Sequence, residues 1–356
     1  MLFGRSKGLI GLDLGSSALK AVEIKDLGRG RGFQLVNVGI ETLPPEAIVD
    51  GAIMDSGLVT EAIQRLFSTR KFKATDVAIS LSGHSVIIKK IGLPAMSPEE
   101  LAESIQWEAE QYIPFDMDDV NIDYQILEGS ATDAEGNMDV LLVAVKKDKI
   151  NDYTGVVSQA GKTPVVVDVD VFALQNAFEA SCESSPAEVV ALVNIGASVT
   201  NISVLRQGSS IFWRDISIGG NRYTEAIQRE MNLSQEEAEA LKHGNQEEGI
   251  PADQVQPILS RVNEEVGNEI QKTLDFFKAT TSGESVQHLV FSGGTSRVPG
   301  LTDYMAERFQ TPVEVFNPFG RLADAERVLP AEQGEEIAPS MAVAVGLALR
   351  KVGDKE

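Results

Sequence analysis

Residues 12–24 read LDLGSSALKAVEI, and the same pattern returns at residues 192–205 as LVNIGASVTNISVL. In both stretches an apolar run carries one acid or amide, a glycine and two small residues follow, and a second apolar run begins. Apolar runs joined through glycine and small residues are typical of two strands and their turn. A pattern that occurs twice predicts a duplicated fold, with one such hairpin in each half.

The turns of these two hairpins suit phosphate binding. Glycine and serine let backbone N–H groups point into a concavity with no Cβ in the way, which makes an anion-binding nest. Asp13 stands at the edge of the first turn, where a carboxylate orients a hydrated Mg²⁺, and Lys20 follows to neutralise phosphate charge. For one hairpin alone an ordinary β-turn is the better explanation. Two copies in matching positions favour phosphate binding.

Length and composition predict a globular protein of two domains. The chain has 356 residues, of which 43% are hydrophobic and 24% are charged. Its formal net charge of −22 argues against binding nucleic acid or anionic lipid, because both reward clustered Lys and Arg. The single cysteine, Cys182, fits a reducing compartment, and the three histidines show no metal-ligand spacing. No stretch of about 18 uncharged apolar residues occurs, so we expect a cytoplasmic protein.

Strand-like and helix-like patterns alternate along the chain, which predicts an α/β fold. Residues 77–81 and 85–91 are predicted to form a strand pair, and residues 97–112 a helix. Residues 256–280 carry apolar side chains at three- and four-residue steps, which favours a helix packed on the core over a zipper. Residues 340–351 are predicted to form a terminal apolar helix.

Glycine pairs mark two further turns in the second half. Residues 291–296, FSGGTS, predict a strand that meets a helix through paired glycines, which lets the backbone approach a phosphate or a flat ligand closely. The same dipeptide stands at residues 219–220. Neither turn is a Walker A loop, and the sequence contains no GxGxxG motif.

In their order along the chain, the two hairpins, the turn at 219–220 and FSGGTSRVPGL at 291–301 resemble the phosphate 1, phosphate 2 and adenosine motifs of the actin, Hsp70 and sugar kinase superfamily. Within it the sequence is similar to the PilM family, the actin-like proteins of type IV pilus assembly, and to the related division protein FtsA. The likeness covers nearly the whole length, and residues 91–125 are its most specific part. The resemblance implies an α/β, bilobed actin-like fold (a ribonuclease H-like duplication) with an FtsA-like 1C insertion domain.

The resemblance also implies the domain layout. The first lobe would span residues 1–186, with the core 1A and the 1C insertion at about residues 82–162. The second lobe would span residues 187–356, with the core 2A and the 2B insertion at about residues 221–287.

Carried over position by position, the resemblance implies a site for ATP or ADP with Mg²⁺. The implied nucleotide-binding residues of both hairpins, the glycine turns and one helix are Gly15, Ser16, Ser17, Lys20, Asn194, Gly196, Ala197, Ser198, Thr200, Gly219, Gly220, Glu239, Lys242, Gly293, Gly294 and Thr295. Asp13 is the candidate metal ligand, and Asp13 and Asp170 are the candidate catalytic residues. For Glu239 and Lys242 an ordinary i,i+3 surface pair is the alternative, and for Asp170 the alternative is a helix cap.

Asn194 stands where hydrolysing members of the superfamily have an aspartate. It keeps the size and one acceptor oxygen but loses the charge, so metal binding and water activation should both weaken. We therefore expect at most a weak ATPase, in which the nucleotide mainly holds the lobes together. A small-molecule kinase of the same superfamily is the alternative, and Asn194 argues against it.

The resemblance implies a cytoplasmic scaffold that reaches the inner membrane through a partner. The N-terminal cytoplasmic tail of the inner-membrane protein PilN would dock between the first lobe and the insertion, and the scaffold would link the platform protein to motor ATPases. The candidate partner-binding residues are Trp107, Tyr112, Pro114 and Phe115, although the helical pattern around Trp107 favours core packing. The tail could instead pair with a strand edge near residues 82–91. The scaffold is also compatible with a homo-oligomer or ring. An actin-like polymer and an FtsA-like membrane anchor are the alternatives. Since the sequence ends directly after its last predicted core helix, we expect only indirect membrane contact.

Overall fold

The computed structural model describes residues 9–127, 137–182, 188–245, 250–281 and 283–353. In chain order, the elements of the first half are β1 (Ile10–Leu14), β2 (Ala18–Asp26), β3 (Phe33–Thr42), β4 (Ile48–Val49), β5 (Ala52–Ile53), α1 (Ser56–Thr69), β6 (Asp76–Leu81), β7 (Val86–Pro94), α2 (Pro98–Glu110), β8 (Val120–Ile126), β9 (Asn137–Lys146), α3 (Lys147–Gln159), β10 (Thr163–Val169) and α4 (Asp170–Ser181). Those of the second half are β11 (Val189–Ile195), β12 (Thr200–Arg206), β13 (Ser209–Ile216), α5 (Asn221–Met231), α6 (Gln235–Lys242), α7 (Ala252–Thr280), β14 (His288–Ser292), α8 (Leu301–Phe309), β15 (Val313–Val315), α9 (Ala325–Val328), α10 (Ala331–Ile337) and α11 (Ala342–Ala348). The predicted boundary between the lobes, at residues 186 and 187, lies outside the described residues.

The first hairpin forms the centre of a five-stranded sheet with the order β10-β6-β1-β2-β3. β1 and β2 are antiparallel and set Asp13 opposite Lys20, whereas β6 runs parallel to both β1 and β10. Ile10 and Leu12 share a core with Ile63 of α1 on one face, and α11 contacts β1 as well. A strand covered on both faces reads as a nearly continuous apolar run, as β1 does.

The second hairpin occupies the same place in a second five-stranded sheet, whose order is β13-β12-β11-β14-β15. β11 and β12 are antiparallel and set Asn194 opposite Asn201, and β14 runs parallel to β11 and to β15. Each sheet therefore has a hairpin, an antiparallel third strand beyond it, and two parallel strands on the other side. The predicted duplication and the bilobed actin-like α/β fold are confirmed.

Between β6 and β10 the chain forms a smaller three-stranded sheet with the order β7-β9-β8, covered by α2. The strand pair predicted at residues 77–81 and 85–91 is wrong: β6 belongs to the first large sheet, and β7 pairs with β9. The turn between them leads from one sheet to another. α2 begins at a capping box formed by Ser97 and Glu100.

The longest helix, α7, buries one side in the core of the second lobe. Val262, Val266 and Ile270 are fully buried there, so the prediction of a helix packed on its own core is confirmed. The terminal helix is shorter than predicted, because Ala338–Met341 form a 3-10 turn and α11 ends at Ala348. None of the helices in the described part of the chain combines the length and apolar composition that a bilayer crossing requires.

The polar sequence at residues 245–253 is typical of a loop, and residues 246–249 of it lie outside the described part of the chain. α7 already begins at Ala252. The domain boundaries inferred from the resemblance remain predictions.

Candidate functional site

A cleft lies between the two hairpins, with an open volume of about 1110 Å³ including its mouth. Its lining combines predicted site residues from both halves of the chain: Asp13, Gly15, Ser16, Ser17, Lys20, Asp170, Asn194, Gly196, Ala197, Ser198, Glu239, Lys242, Gly293, Gly294 and Thr295. Residues predicted from distant parts of the sequence thus meet in one place.

Three of the predicted nucleotide-binding residues lie behind the cleft surface. Thr200 is fully buried and its hydroxyl donates to the carbonyl oxygen of Ile218 at 2.7 Å. Gly219 and Gly220 pack against the turn of the second hairpin. The Gly220 N–H donates to the carbonyl oxygen of Gly196 at 2.9 Å. A Cβ on Gly220 would lie 2.5 Å from the Thr295 hydroxyl oxygen, so only glycine permits this approach. These residues shape the site from its second layer.

The first-lobe side of the cleft is charged. Lys20 Nζ donates to Asp13 Oδ2 at 2.9 Å, and each of the two side chains is 15% exposed. An ion pair this close to solvent remains available to a ligand, because Lys20 can turn from the carboxylate to a phosphate. Asp13 then keeps an acceptor for a metal-bound water.

Asp170, the first residue of α4, adds a second carboxyl to the same side. Its pKa is raised to about 6, mainly by burial and in addition by the charge of Asp13, whereas the nearby Ser80 and Ser82 hydroxyls act in the opposite direction. The helix-cap interpretation is wrong, because the cap position is Val169 and no side chain caps α4. Burial also raises the pKa of the neighbouring Tyr153 hydroxyl, which donates to Gly51.

The second-lobe side of the cleft is neutral at the matching position. Asn194 Nδ2 donates to Asn201 Oδ1 at 3.0 Å, and the Ser292 hydroxyl donates to Asn194 Oδ1 at 3.3 Å. Asn194 is 9% exposed and Asn201 2% exposed. The second hairpin thus presents amides where the first presents an ion pair.

Glu239 and Lys242 form an ion pair at the rim of α5 and α6, in which Lys242 is buried and Glu239 is partly exposed. Lys242 is 4% exposed and its Nζ lies 2.5 Å from Glu239 Oε1, while the Thr224 hydroxyl donates to Glu239 Oε2 at 2.6 Å. The alternative of an ordinary surface pair is therefore wrong. Burial raises the pKa of Glu239, but the hydrogen bond from His243 and the charge of Lys242 outweigh it and lower that pKa to about 2.

The cleft also contains residues that the sequence analysis missed. They are Ser80, Ser82, Tyr153, Asn201 and His243. Asn201 had a detectable signal: it follows Asn194 by seven residues, as Lys20 follows Asp13. The others come from elements whose approach depends on the tertiary fold.

The candidate partner-binding residues lie in the small sheet domain, away from this cleft. Trp107 is 76% exposed, so the core-packing interpretation is wrong. Pro114 is exposed and Tyr112 half-buried. Phe115 is half-buried and carries the Lys146 ammonium 4.3 Å from its ring centre.

The donor set of the cleft fits a nucleotide with Mg²⁺. The Ser80 hydroxyl is buried and has no hydrogen-bond partner among the described residues. Asp13 and Asp170 place negative charge together, and a cation would relieve it. In the described ranges no cluster of three or more His, Cys, Asp or Glu could hold a metal by itself, which suits Mg²⁺, because this ion is usually held by one or two carboxylates together with waters and phosphates.

Comparison with known proteins gives a consistent result. Residues 11–352 match the family described as type IV pilus assembly protein PilM. A solved structure described as the PilM-PilN type IV pilus biogenesis complex has a TM-score of 0.86 and 30% identity, and the match covers 97% of this chain and 99% of that one. Cell division protein FtsA of Bacillus subtilis (strain 168) is 23% identical over 353 residues, which covers 87% of this chain and 78% of FtsA.

A shorter match joins this chain to ethanolamine utilization protein EutJ of Escherichia coli (strain K12). The two are 26% identical over 118 residues, or 33% of this chain. The match spans only 38% of the length of EutJ.

Proposed function

The chain belongs to the PilM family of type IV pilus assembly proteins, and on that premise we propose that it is a nucleotide-binding scaffold of pilus assembly. The observation that carries the nucleotide part is the meeting of both glycine hairpins, Asp13 and Asp170 at one cleft. In this proposal ATP or ADP joins the two lobes, and turnover is slow or absent.

The first hairpin supplies the charged contacts. Lys20 is placed to move from Asp13 to a phosphate, because both are near the surface of the cleft. Mg²⁺, when bound, would neutralise phosphate charge and order water. Asp13 and Asp170 are the residues that would hold its hydration shell.

The second hairpin supplies neutral contacts. Backbone groups around Gly196 and the hydroxyl of Ser198 line the cleft, and Asn194 offers an amide in place of a carboxylate. Losing a charge near the metal weakens activation of water, and about 1.4 kcal/mol of lost transition-state stabilisation slows a reaction tenfold. The weak-ATPase hypothesis rests on this substitution.

Nucleotide binding would stabilise the closed arrangement of the lobes by mass action. Glu239 and Lys242 hold each other beside Thr224, so contacts within the protein order this part of the second-lobe rim. Side chains held by such contacts lose less conformational freedom when a ligand binds.

The partner part of the proposal rests on the family. The similar solved structure is described as a complex of PilM with PilN, and we infer that this chain binds the N-terminal tail of its own PilN. β7 is an edge of the small three-stranded sheet, with β9 on its other side, so a peptide strand has a place to add. Trp107 and Phe115 are the candidate side-chain contacts. Links to the platform protein and the motor ATPases, a peripheral place at the inner membrane and a homo-oligomer belong to the same proposal.

A binding experiment tests the scaffold. A synthetic PilN N-terminal tail is titrated into the full chain with no nucleotide, with Mg-ADP and with Mg-ATP. We expect tail binding that tightens when nucleotide is present. A tail affinity that is the same in all three conditions would contradict a nucleotide-clamped scaffold, and absence of tail binding would contradict the partner assignment.

A further inference from the structure

A line of hydrogen bonds leads from the cleft through the second sheet to the small three-stranded sheet. Asn194 and Asn201 share one bond, and Asn201 Nδ2 donates to Asp215 Oδ1 at 2.9 Å. The other oxygen of Asp215 accepts the Gly83 N–H at 2.6 Å. Gly83 lies in the segment that connects β6 to β7. At the other end of the line the buried Ser292 hydroxyl donates to Asn194 Oδ1, and Asn194 and Asn201 line the cleft.

The Gly83 N–H and the Asp215 carboxylate determine which group donates and which accepts in every hydrogen bond of this line. A backbone N–H only donates, and an ionised carboxylate only accepts, so the Asn201 amide must turn its NH₂ group toward Asp215. The Asn201 oxygen then faces Asn194 and requires the Asn194 NH₂ group. Asn194 is left with its oxygen at the cleft end, where Ser292 donates to it. The orientations of the Asn194 and Asn201 amides thus follow from the fixed donor and acceptor roles of Gly83 and Asp215. They do not depend on distinguishing oxygen from nitrogen within the amides.

We propose that Asp215 is a positioning residue for the nucleotide site, and that through Asn201 it sets which atom Asn194 presents. The presented atom is an acceptor, as a carboxylate oxygen would be. The group that would donate to this oxygen is a metal-bound water or another hydrogen-bond donor beside the phosphates. In that respect the inference rests on the proposed function. The negative charge of this line of hydrogen bonds is thus carried by Asp215 on β13, two strands away from Asn194 on β11.

The arrangement explains why an asparagine is required at position 194 in this chain. With Asn194→Asp alone, the introduced carboxylate needs a donor from Asn201. Asn201 can supply it only by turning its oxygen toward the carboxylate of Asp215, which leaves two acceptors facing each other in a partly buried place. Such an unpaired arrangement is destabilising.

A compensating change removes the conflict. With Asp215→Asn added, the introduced amide at 215 donates to the Asn201 oxygen and accepts from Gly83 N–H. Asn201 then donates to the introduced carboxylate at 194, and every polar atom of the line again has a partner. The double variant Asn194→Asp/Asp215→Asn moves the charge to the cleft and reverses the line. Asp215→Asn alone also permits reversal, because Ser292 can accept as well as donate.

The test is a double-mutant cycle on the full chain, measured by urea denaturation without nucleotide. We expect Asn194→Asp to lower the folding equilibrium constant by about tenfold or more and Asp215→Asn to change it by about threefold or less. The double variant should recover at least about tenfold over Asn194→Asp. Asp123→Asn, an exposed change on β8, is the matched control and should give no rescue in combination with Asn194→Asp.

Additive effects would overturn the proposal, and so would a double variant as unfolded as Asn194→Asp. A folded double variant beside an unfolded single variant would support it. In a second arm, calorimetry measures how strongly Mg²⁺ tightens ATP binding, and the double variant should show a larger Mg²⁺ effect than the native chain. If no variant binds ATP, the proposed nucleotide function fails while the stability cycle still decides the role of Asp215.

Discussion

The two hairpins have the same strand register and different chemistry. Asp13 stands opposite Lys20 in the first, and Asn194 stands opposite Asn201 in the second. The charged residues Asp13 and Lys20 are partly exposed, whereas Asn194 and Asn201 are buried. Burying an ion pair carries a large desolvation cost, and amides satisfy each other at a lower one. The duplicated backbone thus carries one half with a charged pair and one half with neutral, closely packed amides.

The largest expected effect breaks the neutral hairpin. Asn201→Leu removes the partner of Asn194 and of Asp215 at once, in a position that is 2% exposed. We expect a loss of about 2–4 kcal/mol in the free energy of unfolding, because the Asn194 amide nitrogen and one carboxylate oxygen of Asp215 each lose their partner. Urea denaturation measures it. The matched control Asn121→Leu changes an exposed asparagine and should cost less than about 1 kcal/mol; equal losses in the two variants would contradict the paired-amide account.

The next effect concerns the buried carboxyl beside the charged hairpin. The folded protein holds the pKa of Asp170 at about 6, above its ordinary value of 3.8, so the fold binds this proton more tightly than the unfolded chain does. Ionised Asp170 therefore opposes folding above pH 6, and the penalty disappears as the pH falls toward 4. Asp170→Asn should stabilise the metal-free protein by about 1–3 kcal/mol at pH 7.5 and by much less at pH 4.

Urea denaturation at the two pH values checks this prediction, with the exposed Asp152→Asn as control. The same Asp170→Asn variant should lose the additional stabilisation that Mg²⁺ gives in the presence of ATP. A gain that does not depend on pH would show that burial of charge is not its cause.

A smaller effect tests the charged hairpin directly. Lys20→Met removes the ammonium that pairs with Asp13, and we expect ATP affinity to fall about tenfold, which is about 1.4 kcal/mol. The stability of the nucleotide-free protein should change by less than about 1 kcal/mol, because partly exposed ion pairs contribute little. Calorimetry of ATP binding measures the first effect, and Lys272→Met, a change in an exposed pair on α7, is the control. Unchanged affinity in Lys20→Met would place the phosphates elsewhere.

The smallest effect on stability is expected far from both hairpins. Trp107→Ala removes a side chain that is 76% exposed, so the free energy of unfolding should change by less than about 0.5 kcal/mol. Tail affinity should fall about tenfold if Trp107 is an anchor of the partner surface, while ATP affinity stays unchanged. The exposed Met54→Ala serves as control. If the affinity for the tail does not change, Trp107 is not part of the partner-binding surface.

The sequence predicted the parts of this molecule that depend on local pattern. Each hairpin was predictable because its strands, turn and spacing lie within one short stretch, and the capped start of α2 was predictable for the same reason. The strand pair of β6 and β7 was predicted wrongly because neighbouring strands joined by a short glycine turn normally pair. Here the two strands enter different sheets, and nothing local in the sequence indicates it.

The exposure of Trp107 can be predicted from the local sequence, whereas the contact of Asp215 with Gly83 cannot. The buried side of α2 is Leu101, Ile105 and Ala109, a four-residue step that places Trp107 on the opposite side. Its exposure was therefore readable from periodicity. The contact of Asp215 with Gly83, by contrast, joins positions 132 residues apart, and only the tertiary fold brings them together.

The central claim is that the two unlike hairpins together bind a nucleotide that this chain scarcely hydrolyses. Its most direct test is calorimetry of Mg-ATP binding to the native chain, followed by phosphate release from the same sample. The account predicts saturable binding with one nucleotide per chain and phosphate release far slower than nucleotide dissociation. Absence of binding, or rapid and sustained release of phosphate, would contradict it.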